Sequence, residues 1–206
     1  MRNIDHVYID GAFVKPHGTE RFPLVNPATE EVIGHVVLAD KEDAQRAIAA
    51  AKAALPAFSR TAKAQRVAML ERLHAAVLAR AEELRDATIE EYGGPVSRAS
   101  WVSRYAAQAF LDAARTLETC EFERRVGSAT VVMEPVGVSV LITPWNSSAG
   151  SICSKLAMAI AAGCTTVIKP SEMSAIQTQI VAEAFHEADV PPGVINIINE
   201  IGRAHV

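Results

Sequence analysis

Gly137-Val138-Ser139-Val140-Leu141-Ile142-Thr143-Pro144-Trp145-Asn146 opens the stretch that decides the fold, and Val194-Ile195-Asn196-Ile197-Ile198 closes it. Gly137 to Ile142 is a short apolar run rich in β-branched side chains, the pattern of a strand buried on both faces. Residues 146 to 162 then read as a helix closed by Gly163, and Thr165-Thr166-Val167-Ile168 as a second buried strand. Ser174 to Ala188 reads as another helix before the strand Val194 to Ile198. Strand, helix, strand, helix, strand with short connections is a βαβαβ unit, which requires a parallel sheet. The expected fold class is α/β.

Ligands of such sheets bind beyond the carboxyl ends of the strands. Two such ends carry unusual polar residues, Thr143-Pro144-Trp145-Asn146 and Lys169-Pro170-Ser171-Glu172. Neither contains Gly-x-Gly-x-x-Gly, so spacing alone leaves a nucleotide site and plain strand-end loops equally open.

Upstream, two apolar runs flank Asp10-Gly11 between Val7 and Val14, a strong hairpin signal. Asn26-Pro27 and Thr29-Glu30 mark a turn before Val32 to Val37. Asp40 is a candidate N-cap, with Glu42 and Asp43 in the first turn. The pattern predicts a helix over 44–55 ended by Pro56, and one long helix from about Thr61 to Tyr92 ended by Gly93-Gly94-Pro95. The long helix carries the stripe Val67, Leu70, Leu73, Val77 and Leu84. A further helix spans Val96 to Leu117, with Trp101, Tyr105 and Phe110-Leu111 expected in the core. Ala129 to Met133 reads as a strand.

Composition excludes several classes. The 206 residues carry a net charge of −4, with basic residues scattered among acids, which argues against a nucleic-acid partner. No apolar run of about eighteen residues occurs, so no membrane span is expected. Met1 to Asp10 lacks the apolar stretch of a secretory signal. Cys120, Cys153 and Cys164 have no metal-ligand spacing and read as reduced cytoplasmic thiols.

Several motifs together resemble the N-terminal part of the aldehyde dehydrogenase family. They are Pro144-Trp145-Asn146, Lys155, Ala162-Gly163 and Lys169-Pro170-Ser171-Glu172, in the family's order and spacing. Glu134-Pro135-Val136-Gly137-Val138, Pro191-Pro192-Gly193-Val194, Ile9-Asp10-Gly11 and Asn26-Pro27-Ala28-Thr29 add to the likeness, which covers residues from about 7 to 199. It implies the first part of a Rossmann-like sheet, preceded by an N-terminal hairpin and helices, and incomplete. Residues 1–199 would be the N-terminal cofactor-binding domain, with a segment over 126–135 similar to the family's oligomerisation strand.

The resemblance also implies roles. In the family a cysteine thiolate attacks an aldehyde, and the oxyanion is stabilised before hydride passes to NAD. Asn146 matches the oxyanion donor, a group typically worth roughly 2.7–4 kcal/mol of barrier; read without the family, it is an N-cap. Lys169 and Glu172, with Ser171 between them, match the residues at the adenosine ribose. A carboxylate there suits the ribose hydroxyls and repels a 2′-phosphate, favouring NAD over NADP. Without the family, Lys169 and Glu172 are a solvated ion pair. Ile142, Thr143, Pro144 and Trp145 would line the cofactor channel, and Lys155 would have a structural or site-supporting role; without the family it is a solvated helix lysine. The full-length relative implied would oxidise a small-molecule aldehyde to a carboxylic acid as a homo-oligomer.

The sequence departs from the family after Asn146, where Ser147-Ser148 replaces the common Phe-Pro. The family's catalytic cysteine, general-base glutamate and catalytic domain lie beyond the matched region, so the chain by itself is expected to be inactive. Cys153 and Cys164 read as small apolar residues of a helix and of a helix–strand junction, not as substitutes. One reverse translation of Ile201-Gly202-Arg203-Ala204-His205-Val206 coincides with the start of a widely used short-read sequencing adapter, so 201–206 is expected to be a non-native tail. Two other readings remain: a nucleotide-binding module without catalysis, and an oligomer-partner subunit acting through Ala129 to Met133.

Overall fold

The computed structural model describes residues 2–200. The expectation for Ile201–Val206 lies outside the described residues. The predicted βαβαβ unit is present as β8 (Val138–Ile142), α5 (Ser148–Ala162), β9 (Thr165–Lys169), α6 (Ala175–Glu187) and β10 (Ile195–Ile197). β8 pairs with β9, and β9 with β10, both in parallel. Gly163 closes α5 at φ 81°, a conformation that favours glycine.

The N-terminal hairpin forms β2 (Val7–Ile9) and β3 (Ala12–Val14), joined by Asp10 and Gly11, both at positive φ. It then adds antiparallel to β10 through Ile197 and Tyr8. The main sheet therefore has the order β3-β2-β10-β9-β8 and is mixed. A smaller sheet joins β1 (Arg2–Ile4), β5 (Val32–Val37) and β4 (Arg21–Val25). The turn at Asn26 to Glu31 links the last two as expected.

Helix α1 (Lys41–Phe58) starts at Asp40, whose side chain accepts from Glu42 N and Asp43 N. It does not end at Pro56 but passes through it. Proline removes a single N–H, and here that loss falls in the last turn, two residues before the helix stops. The predicted long helix is two helices, α2 (Lys63–Ala79) and α3 (Ala81–Tyr92), separated at Arg80 (φ −102°, ψ 13°). The Arg80 guanidinium reaches Glu183 and Glu187 of α6, at 2.9 and 2.6 Å, so the break sits where the chain is tied to another element. Gly93 ends α3 as expected.

Helix α4 (Val96–Thr119) packs between α2 and α5. Phe110 is fully buried against Phe185. Trp101 and Tyr105 depart from expectation: they are 61% and 41% exposed and stack on each other, with centroids 5.2 Å apart. They lie on another face of α4 from the alanine-lined stripe Ala99, Val102, Ala106 and Ala113 that the helix buries.

Strand Ala129 to Met133 is realised as β7 (Ala129–Val132), in a hairpin with β6 (Glu123–Val126), all of it exposed. The sheet proper lies between two cores. One face packs on α5; the other packs on α1 through Val7, Ile9, Ala47, Ala51 and Val167. Thr165 Oγ1 donates to Ala51 O at 2.8 Å, fixing α1 to that second face.

Candidate functional site

The two segments that carry the motifs leave the sheet side by side. In the β8–β9 register Ile142 lies opposite Lys169, and Thr143 N donates to Lys169 O at 3.1 Å, one residue past the strand end. Parallel pairing of adjacent strands therefore brings Thr143-Pro144-Trp145-Asn146 and Lys169-Pro170-Ser171-Glu172 to the carboxyl end of the sheet.

Strand β8 is buried less than its apolar run predicts. It is an edge strand, and Val140 and Ile142 are 59% and 61% exposed. An apolar run buried on both faces needs an element packed on each, and here Val140 and Ile142 face open space shared with the first turns of α1. Beside it lies a cleft of about 510 Å³, lined by Ile48, Val140, Ile142, Val167, Lys169 and Ile198 among others. Ile142 and Lys169 thus reach a common space.

Lys169 Nζ donates to Glu200 O at 2.8 Å and to Pro170 O at 3.2 Å. Glu172 accepts from Ser171 Oγ at 3.3 Å, and Ser171 Oγ also accepts from Met173 N. Among the described residues Lys169 and Glu172 form no ion pair, so that alternative does not describe them. Pro144 is exposed, whereas Thr143 is buried with no partner for Oγ1. Asn199 Oδ1, just past β10, is likewise buried without a partner. The two orphaned atoms lie past β8 and β10, on either side of β9.

Trp145 does not share the cleft of Ile142 and Lys169. Its ring lies 5.4 Å from that of Tyr92, over a cavity of about 320 Å³ that Leu24, Glu91 and Met173 also line. Asn146 is exposed and lines neither space. It is not the N-cap of α5: Ser147 holds that position, without a side-chain capping bond. Lys155 reaches back from α5 to donate to Ile142 O at 2.7 Å, a structural contact between helix and strand end.

Cys153 and Cys164 are buried, and burial pushes the Cys153 thiol well above its usual range, away from thiolate chemistry. Sequence reasoning missed Glu91. It lies on the buried face of α3 with Leu84, Ala87 and Thr88, and burial pushes its carboxyl up to about 7. The signal was available: position 91 continues the apolar spacing 84, 87, 88.

The sequence pattern that defines the aldehyde dehydrogenase family matches residues 13–206. The chain belongs to that family. Among aldehyde dehydrogenases, 3-succinoylsemialdehyde-pyridine dehydrogenase of Pseudomonas sp. is 40% identical over 204 residues, 98% of this chain and 43% of that protein. Aldehyde dehydrogenase C from Pseudomonas syringae, solved as a mutant with NAD+ and octanal, superposes with a TM-score of 0.93 at 40% identity. The match covers 96% of this chain and 41% of that one. An NAD-dependent aldehyde dehydrogenase from Sinorhizobium meliloti superposes at 0.91 with 30% identity, over 98% of this chain and 42% of its own. The chain therefore spans less than half the length of the aldehyde dehydrogenases it matches. Among the described residues no helix is long and apolar enough to cross a membrane.

Proposed function

We propose that this chain supplies the adenosine-binding part of an NAD site and one oxyanion donor of an aldehyde dehydrogenase. The observation that carries the reading is the register of Ile142 against Lys169, which starts both motif segments at the carboxyl ends of adjacent strands, with Ile142 and Lys169 on one cleft. NAD, when bound, is the hydride acceptor of the family's reaction. This chain's residues bind and orient it: Lys169, Ser171 and Glu172 at the ribose, and Ile142, Thr143 and Pro144 along the channel, while Trp145, expected to line the channel too, turns to Tyr92 instead. Asn146, exposed and uncommitted as a cap, offers its side-chain N–H to an aldehyde oxygen.

The whole protein, on this reading, oxidises an aldehyde to a carboxylic acid through a cysteine supplied by the remainder of the family's length. The chain alone binds cofactor and does not turn over. Three unpaired cysteines accord with a reducing, cytoplasmic setting. Isothermal titration of the chain with NAD tests the reading. Saturable binding lost in Lys169→Ala supports it, and no heat of binding up to millimolar NAD sinks it.

A second reading concerns assembly. Every residue of β6 and β7 is exposed, with Val126, Val132 and Met133 about half exposed. An apolar hairpin held out from the body is an interaction surface in waiting, and we assign it to homo-oligomer formation.

A further inference from the structure

The last turn of α3 touches the start of α6, just past the Lys169 to Glu172 segment, and Trp145 of the other segment, through two residues that have no part in the proposed NAD contacts. Glu91 Oε1 accepts from Ile176 N at 2.7 Å. Its Oε2 accepts from Gln177 N at 3.2 Å and from Gln177 Nε2 at 3.3 Å. Ser174 stands at the N-cap of α6, so Ile176 and Gln177 are the helix's second and third residues. Their N–H groups are the ones an N-cap side chain ordinarily satisfies. Ser174 does not satisfy them, because its hydroxyl donates to Ser171 O at 3.0 Å. A carboxylate on α3 therefore caps α6 from outside. The adjacent residue, Tyr92, places its ring against Trp145 of the other segment.

We infer that Glu91 is a positioning residue for the cofactor: by capping α6 from α3 it fixes where Ser171 and Glu172 are held. The inference rests on the NAD reading of Lys169 to Glu172.

The connection from cap to ribose contact is short. From Ser171 to Ser174 the chain is one tight turn, closed by Met173 N to Ser171 Oγ and by Ser174 Oγ to Ser171 O. With β9 anchored in the sheet at one end and α6 capped at the other, Glu172 has little freedom to move. Without the Glu91 carboxylate, two amides at the start of α6 lose their acceptor, and the turn loses its downstream anchor.

The arrangement is also an expensive way to cap a helix. Glu91 is 7% exposed and touches no basic side chain among the described residues, and a buried unpaired carboxylate costs stability. Burial raises its carboxyl although all three hydrogen bonds favour the charged form. A serine or aspartate on α6 itself could cap the helix without that cost. Only the external cap also locks α3, and through Tyr92 the Trp145 segment, to the ribose turn.

The test uses the 206-residue chain as wild type, Glu91→Gln, Glu91→Ala and Leu117→Ala. Leu117 is a buried residue of α4, and its variant serves as a stability control. Dissociation constants for NAD are read by calorimetry, amide exchange by mass spectrometry, and folding by thermal melting. The expected result is a folded Glu91→Gln with faster exchange over 171–178 and NAD affinity about tenfold weaker, while Leu117→Ala lowers the melting temperature and keeps its affinity. Unchanged affinity in a folded Glu91→Gln overturns the inference, as does an equal loss in Leu117→Ala. Unfolding of both Glu91 variants overturns it too, since the residue then holds the fold and not the turn. A wild-type chain that binds no NAD overturns the inference and the NAD reading together; tight wild-type binding with an indifferent Glu91→Gln overturns the inference alone.

Discussion

Lys155 Nζ lies 2.7 Å from the carbonyl oxygen of Ile142, so the second turn of α5 is tied to the end of the strand that precedes it. The five residues between Ile142 and α5 include Asn146, and this bond closes their loop. Lys155→Met keeps the aliphatic stem and removes the donor. It should lower stability by about 1 kcal/mol, the net worth of one hydrogen bond, and speed amide exchange over 143–147. Chemical denaturation and exchange read the two effects; exchange unchanged across the loop contradicts this account of Lys155.

Asp43 should be the most sensitive polar position in the N-terminal half. Its carboxylate is fully buried and accepts from His17 N, Gly18 N and Asp40 N, with Arg46 beside it. Asp43→Ala leaves three backbone donors without an acceptor, at a cost of about 3 kcal/mol. Urea unfolding measures it, and a loss under about 1 kcal/mol would mean that water replaces the carboxylate freely.

Glu91 gives the stability of the chain a pH dependence of defined sign. Its carboxyl titrates at about 7 when folded and near 4.5 in the reference state, so the folded chain holds the proton more tightly. The favourable linkage is complete below about 4.5 and is lost as pH rises to about 7, amounting to about 3 kcal/mol. Arg2, the charged group acting on Glu91, moderates the shift without removing it. The stability of wild type relative to Glu91→Gln should therefore fall between pH 5 and pH 8; parallel curves would falsify this.

The exposed pair Val140 and Ile142 on the edge strand β8 predicts self-association of the chain, since an apolar unpaired edge recruits partners. Val140→Lys places a charge at that edge and should raise the concentration at which oligomers appear. Sedimentation velocity across a concentration series checks it, and identical behaviour of the two proteins would move the association to another surface, the β6–β7 hairpin first.

The sequence makes the parallel unit legible because each of its strands is an apolar run bounded by a glycine, a proline or a polar cap. Asp10-Gly11 and Asp40 are equally plain, since turn and cap chemistry is local. What stays hidden is non-local. The single registered pair Ile197–Tyr8 joins the hairpin to the parallel sheet, and neither residue announces it. An apolar run looks the same on a central strand as on an edge, so Val140 and Ile142 read as buried. Trp101 and Tyr105 read as core because aromatic residues usually are, while the face of α4 that packs is set by its alanines. The break at Arg80 depends on glutamates a hundred residues away. For the site, the motifs single out Ile142 to Asn146 and Lys169 to Glu172 as the candidates. They do not reveal that Trp145 turns to Tyr92, away from the cleft, or that Glu91 holds the start of α6.

The central claim, that Lys169 to Glu172 receive the ribose of NAD, is tested most directly by the ratio of NAD to NADP affinity in the chain and in Glu172→Gln. A carboxylate facing the ribose hydroxyls predicts NAD binding tighter than NADP by about tenfold or more, with the ratio collapsing toward one in Glu172→Gln. Equal affinity for both cofactors in wild type, or a ratio unchanged by the substitution, would contradict it.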